Sequence, residues 1–411
     1  MNDKLLRKYA NLLVERGVNV QKGQVVIVNA PIENYKFGEM LVEEAYKKGA
    51  KEVFINWNST AITKARFQYE SLETLSEIPE HVISKAKYQY DNKACRISIT
   101  SPDPDGLKGL DFEKMKAVRK AGVVLNKYTR DPYMSSSLQW TVAAIPNEKW
   151  AQKVFPNLTK EEAMVRLWDA IFTAVHIDEN NDPVKLWEEH DNNLMERSKK
   201  LNDYNFDKLK FVSNNGTNFE VGLVEGHIWA GGCDGGNEET PLFDPNMPTE
   251  EIFTMPHKDR ANGKVVSTKP LDYQGTLIEN FYVVFKDGVV IESGAEKGIE
   301  ALNALLNTDE GSKRLGEVAL VPYDSPISKM NVLFYNTLFD ENASCHLAFG
   351  NAYVTNIKDG VKLSVDELKE KGYNESMNHV DFMIGTKDMK ITGVTKDGKE
   401  VEVFVNGNFV I

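Results

Sequence analysis

The sequence predicts two parts: an α/β N-terminal part with a mostly parallel sheet (1–204) and an α+β C-terminal part rich in antiparallel strands (205–411). Three observations carry this. Apolar strand runs alternate with amphipathic helical segments over the first half. After about residue 205 the strands become short and are joined by Asp-Gly or Asn-Gly pairs. A length of 411 residues suits two domains of roughly 100–200 residues each.

In order along the chain, Leu5, Leu6, Tyr9, Leu12 and Leu13 recur at helical spacing over 3–16. VVIVNA (25–30) is a buried-strand run, and FGEMLVEEAYKKGA (37–50) is a helix stopped by Gly49. EVFINW (52–57) and ACRISIT (94–100) are the next strands, the latter ending at the turn SPDPDG. Asp111 can cap the helix FEKMKAVRKAG, and VVLN (123–126) follows it in the β/α alternation. WTVAAIP (140–146) adds a strand ending at Pro146. Thr159 and Glu162 form a capping-box pattern ahead of one helix, and Val184, Leu186, Trp187, Leu194 and Leu201 mark another over 183–201. Beyond that lie strand pairs over 211–223, 281–293 and 391–411, with hairpin signals at Asp287-Gly288, Asp397-Gly398 and Asn406-Gly407. The helix AEKGIEALNALLN (295–307) interrupts them, and no internal repeat of fixed period is present.

The composition excludes several classes. Hydrophobic residues make up 41% and charged residues 27%, ordinary globular values. A formal charge of −12 disfavours nucleic acid and anionic membrane surfaces, since phosphate contacts need clustered Lys and Arg. No apolar run approaches the ~20 residues of a membrane helix, and the charged N-terminus is not of signal-peptide type. Cys95, Cys233 and Cys345 are too few for a disulfide framework and point to reduced thiols in a cytoplasmic protein. There is no G-x-x-x-x-G-K-[ST], no G-x-G-x-x-G after the first strand and no G-x-S-x-G. Cys233, within GGCDGG, has no His at a recognisable spacing and reads as structural.

Candidate metal ligands gather in the second half. In NHVDFMIG, His379 and Asp381 stand two apart on a strand and so project from one face. An imidazole and a carboxylate converging in this way can share an ion; the alternative is a hydrogen-bonded structural pair. Glu317 is an isolated carboxylate inside LGEVALV, which strand alternation places on a buried face with Leu315 and Ala319. Such a group needs a cationic partner. In TEEIFT, strand alternation points one of Glu250 and Glu251 each way without saying which faces a site. His346 follows the small, polar Asn342-Ala343-Ser344-Cys345, typical of a loop or helix start. Two histidines and three carboxylates exceed the three protein ligands of one catalytic zinc and suit a two-metal site.

At these residues the chain resembles the thermophilic-type metalloaminopeptidases, the family of aminopeptidase T, aminopeptidase S and the PepS enzymes. The likeness runs from LLRKYANLLVERGVNVQKGQVVIV through LQWTVAAIPN, GTNFEVGL and NMPTEEIFTMPH to NHVDFMIG. The resemblance implies the metal ligands Glu251, Glu317, His346, His379 and Asp381, with Glu250 a neighbour and His227 and His257 supporting or structural. It implies that Tyr353, seven residues beyond His346, acts in catalysis, and that Glu317 or Glu251 serves as base while touching metal. It further implies two divalent ions (Zn, Co or Mn), held by the C-terminal part, release of N-terminal residues from short peptides, and a homodimer. The residues alone leave two rivals: another two-metal hydrolase such as a dipeptidase or esterase, and a non-enzymatic ligand-binding protein.

Overall fold

The computed structural model describes residues 2–103, 106 and 109–411. Pro104 and Asp105 of the expected SPDPDG turn lie outside the described residues. The chain divides into two compact units, Met1–Glu188 with Cys233–Pro248 and Glu189–Gly232 with Thr249–Ile411.

The first unit is built on a parallel sheet. Strands β1 (Val25–Pro31), β2 (Glu52–Asn58), β3 (Cys95–Thr100) and β4 (Trp140–Ala144) lie in the order β2-β1-β3-β4, and the short segment Asn246–Met247 pairs in parallel with β4. Val25, Val26 and Val28 are almost wholly buried, as expected of a parallel strand covered on both faces. Helix Asp3–Leu12 buries Leu6, Tyr9, Ala10 and Leu12, and the Tyr9 hydroxyl donates to Ala144 O at 3.1 Å. Helix Tyr35–Lys48 ends at Gly49, whose φ of 100° needs a residue without a Cβ. The Thr159–Glu162 capping box forms and opens helix Lys160–Ala174. The run 123–126 departs from the β/α alternation. Val123–Leu125 is a 3-10 turn continuing the helix Phe112–Gly122, and Val123 is 60% exposed. The place beside β3 belongs to β4.

The second unit holds two larger antiparallel sheets and the two-stranded ribbon of Leu271–Tyr273 with Thr276–Ile278. One has eight strands, in the order Val289–Gly294, Tyr282–Lys286, Pro256–Val266, Asn218–Leu223, Lys208–Val212, Lys390–Val394, Glu400–Val405, Asn408–Phe409. Asp287-Gly288 and Asn406-Gly407 close hairpins with positive φ at both turn positions. The other sheet carries the candidate ligands. Its strands are β5 (Ile252–Thr254), β6 (Leu315–Leu320), β7 (His346–Gly350) and β8 (His379–Met383), in the order β8-β7-β6-β5, with Ala230–Gly231 beyond β5.

A single apolar core includes residues of both sheets: Phe211, Phe219 and Phe285 from the larger, Val318, Leu347, Phe349 and Phe382 from the smaller. Helix Ile299–Leu306 adds Leu302, Leu305 and Leu306. Phe349 stacks on Phe382 at 4.3 Å between ring centroids and on Phe285 at 6.4 Å. One face of the smaller sheet is thereby committed to the core. Strand alternation leaves its opposite face for the polar residues.

Truncating Phe349 to Ala opens a cavity beneath the ligand-bearing strands. It should cost about 3–5 kcal/mol, measured by urea unfolding of the metal-free protein. A loss below about 1 kcal/mol would mean that Phe349 is not a core residue of this sheet.

Candidate metal centre

The register of the smaller sheet decides which side chains meet. Glu317 lies opposite Ala348, and Ala348 lies opposite Asp381. In the next row Phe253, Ala319, His346 and Met383 stand opposite one another across all four strands. Directly paired residues share a face, as do residues two apart. Glu251, Phe253, Glu317, His346, His379 and Asp381 therefore project together. The residues among them, Ala319, Ala348 and Gly350, are small. His379 faces Gly350, whose φ of 98° and 2.2 Å clearance between a built Cβ and Asn378 O exclude any side chain.

Leu315 does not share this face. The β6–β7 pairing slips between Leu315 and Glu317, and Leu315 lies opposite Phe349 in the core. The bulge falls at Gly316, where a Cβ would meet Asn351 O at 2.2 Å. His346, expected in a loop or helix start, instead opens β7 and is fully buried.

The side chains converge in two sets. His346 Nε2 lies 3.0 Å from Glu251 Oε2 and 3.5 Å from Glu317 Oε1. His379 Nε2 lies 3.4 Å from Glu317 Oε2 and 3.4 Å from Asp381 Oδ1. Glu251, Glu317 and His346 thus offer one group of ligand atoms within 4.8 Å of one another, and Glu317, His379 and Asp381 a second. Glu317 belongs to both, one oxygen to each histidine.

The imidazoles are oriented from behind. His346 Nδ1 is 3.1 Å from Ser344 O, and His379 Nδ1 is 2.7 Å from Asn351 O. A carbonyl only accepts, so each Nδ1 carries a proton and each Nε2 is turned to the carboxylates. A neutral imidazole in this tautomer sets its Nε2 lone pair against carboxylate oxygens, which is repulsive unless a proton or a metal ion lies between. Carbonyl-backed His is the usual outer support of a ligating histidine. Glu251 Oε2 is buried and receives no well-aligned hydrogen bond, despite its closeness to His346. This donor set fits a divalent ion.

Without metal, protons do the balancing. Burial pulls the histidines down, but the adjacent carboxylates win: Glu251 and Glu317 hold His346 well above its ordinary value, and Asp381 and Glu317 raise His379 to about 11. Burial pushes Glu317 up, yet His346 and His379 bring it to about 2. Burial raises Glu251 against the pull of His346.

Two further residues belong to the cluster. Glu341, half-buried in the 3-10 turn Glu341–Ala343, has its pKa raised well above the ordinary value by burial and then by the charges of Glu251 and Asp381. Sequence reading missed it, because in DENAS it looks like one more acid of a polar loop; its one signal is lying five residues before His346. Tyr353 is 44% exposed, with its ring centroid 4.7 Å from that of His379 and 6.2 Å from that of Phe253. Burial and the charges of Glu317, Asp381, Glu341 and Glu251 keep its phenol protonated.

The other sequence candidates lie elsewhere. Glu250 Oε2 is 3.9 Å from His190 Nε2. His227 Nδ1 donates to Val224 O, and His257 Nδ1 accepts from Asp259 N–H. Neither His227 nor His257 falls in a candidate ligand group among the described residues.

A profile of the thermophilic metalloprotease (M29) family matches residues 2–409. The chain belongs to this family. It is 48% identical to aminopeptidase AmpS of Bacillus subtilis over 405 residues, covering 98% of each chain. It is 45% identical to aminopeptidase 2 of Geobacillus stearothermophilus, covering 99% of this chain and 98% of the relative. The structure of wild-type AmpT from Thermus thermophilus matches with a TM-score of 0.89 at 39% identity, all of both chains being covered. Family and fold agree with the resemblance read from the sequence, and a divalent-metal requirement follows from a metalloprotease family.

The metal-free protein should lose stability on alkalinisation. His379, raised in the folded state, contributes fully below the unfolded-state value of about 6.5, and that contribution is lost as pH rises towards 11. Glu251 and Glu341, raised carboxyls, act in the same direction. Glu317, depressed to about 2, contributes fully above about 4.5 and is constant across this window. Urea unfolding in chelator should give a lower midpoint at pH 9 than at pH 6.5, and His379→Gln should flatten the difference. Equal midpoints in the unsubstituted protein would contradict the ion-pair account.

Proposed function

We propose that the protein is a metal-dependent aminopeptidase that releases N-terminal residues from short peptides with two divalent ions. The observation carrying this reading is Glu317, one carboxylate shared by two ligand sets on one sheet face. Glu251, Glu317 and His346 would hold one ion, and Glu317, His379 and Asp381 the other. Glu341, which feels the charges of members of both sets, would add a further oxygen donor. The mixed imidazole and carboxylate donors suit Zn, Co or Mn. When bound, such a pair of ions supplies Lewis-acid polarisation of the scissile carbonyl and a water of lowered pKa, and offers a site for the free substrate amine.

The protein's own groups supply the rest. Tyr353 keeps its proton and can donate a hydrogen bond to the oxyanion that develops on the scissile carbonyl. Glu317 or Glu251 takes the proton from the attacking water. The rigid sheet beneath, with its rows of small residues, holds these groups with little reorganisation. A homodimer working in the cytoplasm completes the reading. Its support is the resemblance together with the reduced-thiol composition, and light scattering giving a mass near 46 kDa would contradict the dimer.

Hydrolysis of leucyl- and arginyl-anilides should be lost on chelation and return with Co²⁺ or Zn²⁺, while N-acetylated substrates should remain uncut. Activity indifferent to chelator would remove the metal from the reading, and cleavage of blocked peptides would point to another hydrolase. Tyr353→Phe should lower kcat about 10²–10³-fold with little change in KM. Glu317→Gln should abolish activity and reduce metal content, since it weakens both sets at once. Retention of near-normal kcat by either variant would remove that residue from catalysis.

A further inference from the structure

Glu251 and Glu341 are buried or half-buried carboxylates on segments that no strand pairing joins. The Glu251 charge adds to burial in raising the Glu341 carboxyl, although the two residues lie on different segments. The link between the segments is Asn342, which is fully buried. Its Oδ1 accepts the Glu250 N–H at 2.7 Å, immediately before Glu251. Its Nδ2 donates to Leu338 O at 3.1 Å, within the short helix Thr337–Asp340 that leads to Glu341. Its own carbonyl accepts the Ser325 hydroxyl at 3.4 Å. On the other side of Glu341, the Asp340 carboxylate accepts Phe334 N–H at 2.7 Å and Asn336 N–H at 3.0 Å, fixing the start of the same turn.

We propose that Asn342 is a positioning residue that preassembles the metal centre by tying the Glu250–Glu251 segment to the turn bearing Glu341. The inference rests on the two-metal reading above. The job selects an amide. It must accept from one backbone N–H and donate to one backbone carbonyl together, which a carboxylate or an aliphatic chain cannot do. It must also add no charge, since an anion would join four others and a cation would compete with the metal. By holding the two segments together through these hydrogen bonds, Asn342 reduces the ordering that metal binding must still impose.

The test is titration of the chelated full-length protein with Co²⁺, read by visible absorption, for the parent, Asn342→Ala and Asn342→Asp. Asn342→Ala should bind at least one ion about 10–100-fold more weakly, the range of lost outer support. Its cobalt spectrum should shift and kcat should fall more than KM changes. Asn342→Asp keeps the acceptor for Glu250 N–H but loses the donor to Leu338 O, and should also bind more weakly. Affinity and spectrum unchanged in both variants, with only the thermal midpoint of the metal-free protein lowered, would reduce Asn342 to a fold strut and overturn the inference alone. No cobalt uptake by the parent would overturn the metal reading and this inference with it. If the variants fail to fold, hydrogen exchange of the Glu250 amide in the chelated parent decides: slow exchange supports preassembly, and fast exchange slowed only by metal overturns it.

Discussion

Everything at the centre follows from one electrostatic constraint. Four carboxylates and two histidines project into one partly desolvated space, and carboxylates so placed cannot all stay ionised unless positive charge is brought to them. In the metal-free protein that charge is protonic: His346 and His379 hold their protons far more tightly than free imidazole does, and Glu251 and Glu341 resist ionisation. Bound divalent metal would answer the same need with more charge. Metal binding, proton release and local stability are then facets of one equilibrium.

The sheet makes this crowding tolerable by giving its two faces opposite characters. Val318, Leu347, Phe349, Phe382 and Val380 anchor one face in the aromatic core, while their alternate neighbours include the candidate ligands. The ligand positions are therefore set by strand register and by packing behind them. Where small residues intervene, at Ala319, Ala348 and Gly350, the face is left open. The bulge at Gly316 fits this division, because it turns Leu315 into the core while Glu317 stays with the ligands.

How far this was legible in the sequence depended on whether a local period revealed it. The i, i+2 spacing of His379 and Asp381 correctly gave a shared strand face, and the lone carboxylate in LGEVALV correctly flagged Glu317 as buried and in need of a cation. The parallel and antiparallel halves followed from helix–strand alternation and from the Asp-Gly and Asn-Gly turns. Leu315 was placed on the wrong face because a bulge breaks the two-residue period and Gly316 is its only trace. His346 was hidden by small polar neighbours that imitate a loop but open a strand. Val123–Asn126 imitated a strand by composition, yet with half-exposed valines it continues a helix. Glu341 and Asn342 were invisible, since their roles come from tertiary contacts with Glu251, Asp381 and Glu250 that no local pattern encodes. Which of Glu250 and Glu251 approaches Glu317 and His346 is set by the tertiary structure, which groups Glu251 with them.

The central claim is that Glu317 is shared between two ions. The most direct measurement is anomalous diffraction from crystals of the cobalt- or zinc-loaded protein, collected on either side of the metal edge. The account predicts two anomalous peaks ~3.5–4 Å apart, one beside Glu251 and His346, the other beside His379 and Asp381, with the Glu317 carboxylate between them. A single peak, or two peaks that do not both contact Glu317, would contradict it.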